Sequence, residues 1–246
     1  NVPPLGHAVF YVVGGKGDPV EPTELNVNVK ALENDTLLIK LDGNGEFTSV
    51  YDKLEGREVL AKGQKGNVIQ LFDDRPFDHD AWEMDHNFDE EQQWAPGKAE
   101  SIKVVEEGPV RAVVRVVRKT ENSTITQDII LYALLQRVDV QTHVDWHEKR
   151  VLMKVAFPVD ILSSKATYDI QYGTIERATH ASREHERARF EVTGHHWADL
   201  SEGNYGVSLL NDCKYSYDIK GNVMRLSLLR APVHPDPQAD QGEHDM

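Results

Sequence analysis

The stretch VDVQTHVDWHEKR, residues 138–150, decides the fold. In an extended chain Val138, Val140, Thr142, Val144 and Trp146 fall on one face, and Asp139, Gln141, His143, Asp145 and His147 on the other. This period of two predicts a strand with one face buried and one open. The following VLMKVAFPVD, residues 151–160, reads as its partner strand, with Pro158 confining its end to an edge or an exit. His143 and Asp145 share the polar face at a spacing that can place ligands around zinc. Every half-buried antiparallel strand has such a face, so a solvent face or a domain contact is the competing reading.

The same alternation recurs outward from this run, in Leu25-Asn-Val-Asn-Val-Lys and in Val223-Met-Arg-Leu-Ser-Leu-Leu. Asp42-Gly-Asn-Gly, Glu107-Gly-Pro and Lys220-Gly-Asn lie between apolar runs, where glycine supplies the positive φ of tight hairpins. Counting such runs predicts roughly fifteen short strands, hence an all-β antiparallel sandwich or barrel. The best helical candidate, Ser182 to Arg189, is charged all round and has nothing to bury. Residues 1–22 carry prolines at 3, 4, 19 and 22 and read as the last strand (Val9 to Val13) of a smaller β domain, followed by a linker. A boundary near Thr23 leaves 23–246 as the main domain.

A chain of 246 residues suits one large domain. Its 27 basic and 41 acidic residues give a net charge of −14, which excludes nucleic acid and anionic membrane as partners because phosphates would be repelled. Neutral or cationic ligands, and homo-oligomerisation, stay open. One cysteine, Cys213, rules out an internal disulfide, and no apolar stretch nears the roughly 20 residues that span a bilayer. The expectation is a soluble cytoplasmic protein.

FDDRPFDHDAWEMDHNFDEEQQW, residues 72–94, lies in a segment too long for an ordinary connection between strands. Asp78, Asp80 and Asp85 alternate with Trp82 and Trp94, the mixture a sugar site uses: aromatic faces stack on pyranose C–H surfaces and acids accept from hydroxyls. An acidic loop packing its tryptophans on the domain is the plainer reading. His195 and His196 are adjacent and point to opposite faces, so they cannot share an ion in an extended chain. Lys214 could lower the pKa of Cys213, but no histidine base lies near it. APVHPDPQADQGEHDM, residues 231–246, is expected to be a loop, since Pro232, Pro235 and Pro237 forbid helix and deprive a strand of donors. His234, Asp236, Asp240 and His244 fit no zinc or calcium spacing. No glycine-rich phosphate loop, nucleophile elbow, His-Glu-x-x-His or paired Cys-x-x-Cys is present.

Five blocks in order, LFDDRPFDHDAWEMD, VDWHEKRVLMKVAFPVD, YDIQYGTIERATH, ARFEVTGHHWADLSEGNYGVSLLNDCKY and LSLLRAPVHPDPQADQGEH, resemble the C-terminal β region of the glycoside hydrolase family 38 α-mannosidases, in their bacterial and cytosolic branch. The likeness runs from Leu32 to His244. It implies a large β-sandwich of the galactose-mutarotase-like type. It also implies a parent enzyme that hydrolyses terminal α-mannosides with retention, using two aspartates and a zinc ion in an N-terminal region absent from this chain. No catalytic or metal residue is carried over, and no cofactor is expected within these residues. The matched loops imply sugar-pocket contacts at Asp80, Trp82 and Asp85 and at Arg230, Pro235, Asp236, Asp240 and His244. His79 departs from the pattern, standing where an aromatic precedes Asp-Ala-Trp. The resemblance further implies an N-terminal catalytic partner domain, mannosides as ligands, and a chain cut short of the family's next strand, leaving an unpaired edge. The alternatives are an autonomous carbohydrate-binding or mutarotase-like domain, and a purely architectural one.

Overall fold

The computed structural model describes residues 5–11, 14–15, 24–84, 93–238 and 240–246. Val9 to Tyr11 are exposed and lie in no strand, and Val12 and Val13 lie outside the described residues. The described residues form twenty antiparallel strands and one helical turn. The number exceeds the expected fifteen because pairs such as Arg57–Glu58 are too short to show alternation.

The first sheet is a meander of β1 (Asn26–Asn28), β2 (Ala31–Glu33), β3 (Leu37–Leu41), β4 (Phe47–Asp52) and β5 (Arg57–Glu58). Asp42-Gly-Asn-Gly turns β3 into β4 as expected. Gly45 has φ +77, and a Cβ there would meet Val116 Cγ2 at 2.5 Å, so both backbone and space require glycine. Then come β6 (Val68–Asp73) and β7 (Gln93–Trp94), followed by four long strands: β8 (Ala99–Glu107), β9 (Arg111–Lys119), β10 (Thr124–Tyr132) and β11 (Val138–Trp146). In β11, Thr142, Val144 and Trp146 are buried and Gln141 is exposed, as alternation required.

β12 (Val151–Pro158) does not pair with β11. It lies between β6 and β19 (Val223–Arg230) in another sheet, and the chain turns a corner at Glu148–Arg150 to reach it. The reason is burial on both faces: every residue of β12 except Phe157 is buried, Lys154 included, so it belongs at a sheet centre rather than beside a half-solvated strand. β13 (Lys165–Ile170) and β14 (Gly173–Ala178) form a hairpin. The helical turn α1 (Glu184–Arg187) follows and buries nothing, as its charge predicted. β15 (Val192–Thr193), β16 (Trp197–Glu202), β17 (Tyr205–Leu210), β18 (Ser216–Lys220) and β19 precede β20 (Gly242–Asp245).

The end of the chain is therefore not all loop. Beyond Pro237 no proline intervenes, and β20 pairs with β11, setting Asp245 opposite His143 and His244 opposite Val144. Thr142 and Met246 exchange both backbone bonds, at 2.5 and 2.7 Å. The sheet orders are β1-β2-β3-β4-β5, β20-β11-β10-β9-β8, β15-β18-β19-β12-β6-β7 and β14-β13-β16-β17, so the outer strands of each sheet have one partner among the described residues.

Two apolar cores join them. Leu32, Ile39 and Phe47 of the first sheet meet Val114, Val116 and Ile129 of the β8–β11 sheet. Val144 and Trp146, on the same sheet, meet Met153, Tyr168, Leu200 and Tyr217 of the other two. Each fully buried aliphatic of this kind stabilises by roughly 1.5–3 kcal/mol.

Candidate sugar-facing site

Three segments converge at one end of β12: the loop after β6, the β11–β12 corner and the loop after β19. Backbone bonds fix them, from Asp74 N to Arg150 O at 2.8 Å and from Arg150 N to Ala231 O at 2.7 Å. Arg230, the last residue of β19, faces Asp74, the first residue beyond β6. Its Nη2 lies 2.9 Å from Asp74 Oδ1 and its Nε bonds Oδ2, while Nη2 also donates to the Glu83 carbonyl. Burial pushes the Asp74 carboxyl up and Arg230 pulls it partly back.

Asp80 is buried and joins the two matched loops. Its carboxylate oxygens accept from Val233 N and His234 N, each at 3.0 Å, and these bonds, that to Val233 foremost, hold its pKa below the usual carboxylate range. Trp82 stands beside it, 70% exposed, its ring 5.3 Å from His234 and 5.8 Å from His79. His79 has φ +46, and both Trp82 N and Glu83 N donate to its carbonyl, so the backbone doubles back beneath the three rings. The departure from the family pattern at His79 thus still supplies an aromatic edge.

The remaining candidates sit elsewhere. Asp85 lies outside the described residues. Asp236 accepts from Gln238 N at 2.9 Å and shapes its own turn, beside the cis His234–Pro235 bond. Asp240 meets His147 of the corner, Oδ2 to Nδ1 at 2.7 Å, while His147 Nε2 faces Asp145 at 2.8 Å. Asp240, and then Asp145, raises the His147 pKa, and His147 lowers that of Asp240. His244 pairs across to Val144, and its Nε2 is buried without a hydrogen-bond partner among the described residues. Lys149 Nζ donates to Pro237 O at 2.8 Å, so the corner also holds the loop after β19 at Pro237.

Sequence reasoning missed Asp74, Lys149 and Arg150, which position the loops, and the pairing of His147 with Asp240 across 93 residues. His143 faces Asp245 at 2.8 Å, and both ring nitrogens of His147 face carboxylates. No set of three or more His, Cys, Asp and Glu side chains among the described residues comes together to hold a metal ion. His143 is set against Asp245 across the β11–β20 pair, and Asp145 against His147. The cysteine reading also needs correcting: desolvation, then a bond to Asp212, raise the Cys213 thiol, outweighing Lys214.

Chemically the site offers an exposed indole beside two imidazoles, with its buried carboxylates already bonded. Asp80 has both oxygens on backbone amides and Asp74 both on Arg230, so neither is placed as a free acid or base. The arrangement suits contact with a ligand or a neighbouring surface.

The glycosyl hydrolases family 38 C-terminal domain matches residues 32–238. Human alpha-mannosidase 2C1 is 42% identical over 216 residues, covering 87% of this chain and 21% of that protein. Alpha-mannosidase G of Dictyostelium discoideum is 39% identical over 87% of this chain and 20% of its own length, so the chain spans about a fifth of these relatives. An alpha-mannosidase structure from Enterococcus faecalis V583 superposes with a TM-score of 0.76 at 15% identity, over 95% of this chain and 30% of that one. No helix among the described residues is long and apolar enough to cross a membrane. With the match spanning both core clusters and the loops that Asp80 joins, the chain belongs to the C-terminal domain family of the family 38 glycosyl hydrolases.

Proposed function

We propose that this chain is a non-catalytic β-segment of an α-mannosidase, a sandwich of the galactose-mutarotase-like type that sets Trp82 and the 231–240 loop against the sugar pocket of a catalytic domain. The observation that carries this is Asp80: one buried carboxylate fastens the matched Asp-Ala-Trp loop to the matched Ala-Pro-Val-His loop and leaves the Trp82 ring open to solvent. Hydrolysis of terminal α-mannosides with retention, the zinc ion and the catalytic aspartates belong, on this reading, to the N-terminal region of the parent protein. A cytoplasmic setting, which the single unpaired Cys213 supports, is part of the same proposal.

The test is an assay of the 246-residue chain for α-mannosidase and mutarotase turnover, with a titration by mannose. Absence of turnover, together with loss of mannoside affinity when Trp82→Ala is placed in the parent enzyme, is the expected result. Turnover by the chain alone would overturn it in favour of an autonomous domain.

A further inference from the structure

A second polar hollow lies away from that surface, between the β13–β14 hairpin, the turn around α1 and β18. It is a cavity of about 170 Å³. Arg177 forms part of its wall. Ala166 and Arg177 are register partners, as are Tyr168 and Ile175, so Tyr168 and Arg177 are diagonal neighbours on one face of the hairpin. The guanidinium carbon lies 4.6 Å from the centre of the Tyr168 ring. Tyr168 is in turn locked edge-on against Tyr217, with ring centres 5.9 Å apart. The guanidinium is thus held in place, yet its Nη1 is buried and has no hydrogen-bond partner among the described residues. A buried donor left unmade costs about 1–3 kcal/mol, so such a group invites an acceptor.

Among the described residues no acceptor bonds Arg177 Nη1. The carboxylates that line the cavity are all engaged: Glu176 with Lys165 Nζ at 2.7 Å, Glu186 with Ser182 N and Arg183 N at 2.9 Å each, and Asp218 with Arg225 Nη1 at 2.9 Å. Burial, and then the like charge of Arg189, work against the charged Arg177, and an anion would relieve both. Gly221 N donates to Thr179 O at 2.7 Å, tying the exit of the hairpin to the β18–β19 turn, so the walls are fixed before a guest arrives. The hollow adjoins a second one of about 300 Å³ that shares Glu176, Arg177 and Glu186, and within its own 170 Å³ there is room for a guest of a few heavy atoms.

We propose that this cavity binds a small oxyanion of the phosphate or carboxylate class, with Arg177 as its principal donor and Arg189 as a second charge at the rim. The site is independent of the mannosidase reading. To test it, the 246-residue chain is titrated with inorganic phosphate and separately with acetate at matched ionic strength, following the Arg177 side-chain N–H and the Tyr217 amide by NMR. Saturable shifts with at least one anion, weakened about tenfold by Arg177→Gln and by Arg189→Gln but not by Arg115→Gln on a different sheet, are expected. Which anion saturates identifies the class. Arg189 is exposed and its replacement leaves the core intact, so the test stands even where Arg177→Gln folds poorly. Absence of saturation by both anions, or binding indifferent to both substitutions, overturns the site.

Discussion

Arg230 and Asp74 lie 156 residues apart in sequence and form a two-nitrogen ion pair that closes the loop after β6 onto the end of β19. Asp74 is almost wholly buried, so removing the guanidinium strands a charge away from water. Arg230→Gln should cost about 3 kcal/mol, near the lower end for breaking a buried pair because the Arg230 side chain keeps some exposure. Burial already raises the Asp74 pKa, so the variant's deficit should shrink as the pH falls and Asp74 takes up a proton. Adding Asp74→Asn should recover most of the loss. Urea denaturation across pH checks this, and a double variant as unstable as the sum of the singles would refute it.

Asp80→Ala removes two acceptors at once from Val233 N and His234 N, and a cost of about 1–3 kcal/mol is expected in the docking of the 231–238 loop. The folded pKa of Asp80 is depressed, so its contribution is complete above the ordinary carboxylate value and is lost as pH falls through the lowered one. Amide exchange at Val233 and His234 should accelerate in the variant at neutral pH, and in the unmodified chain only under acid.

His147 gives the opposite pH sense. Its pKa is raised, first by Asp240, so the stabilisation of the 240–246 segment is complete below the ordinary histidine value near 6.5 and is lost as pH rises through the raised one. Exchange of the β20 amides should therefore quicken from neutral pH upward. Asp240→Asn should flatten that profile, leaving only the weaker influence of Asp145. An unchanged profile would mean that the β11–β20 backbone bonds, and not the imidazolium, hold the strand.

The residues that period two describes were legible before any coordinates, because alternation is a local consequence of one buried face. β11 and β19 follow it, with Met224, Leu226 and Leu228 buried in turn. The Asp42, Gly108 and Gly221 turns were legible for the same reason, since φ > 0 is written in the residue type. β12 was misplaced because a strand buried on both faces carries no alternation to say which sheet it joins. β20 was hidden behind three prolines whose effect ends before it begins. Trp82 and Asp80 were singled out as candidates by residue type and by the wording of their loop. The partners that position them, Asp74, Arg150 and the backbone of Val233, are chosen by long-range packing that no local pattern encodes.

Lys154 is the sharpest instance, a lysine at the centre of a sheet with no solvent exposure. Its Nζ lies 2.5 Å from Glu191 Oε1 and 3.4 Å from Asp218 Oδ2, and 5.5 Å above the Phe72 ring. Glu191 also accepts from Ser216 and Ser227, and although burial acts to raise its pKa, Lys154 and these hydroxyls hold it below the usual value. Charges this deep are costly to desolvate, so the pair need not add stability over an apolar equivalent, whereas half of it is worse than none. Lys154→Met alone should cost about 3–5 kcal/mol by leaving Glu191 and Asp218 short of a counter-charge. Lys154→Met with Glu191→Gln should regain a large part, because Gln keeps acceptor and donor groups for Ser216 and Ser227 without a charge. Chemical denaturation of the two single variants and the double gives the coupling directly. A coupling near zero would mean that the network's stability rests on Asp218 and Arg225, whose 2.9 Å bond is untouched by either change.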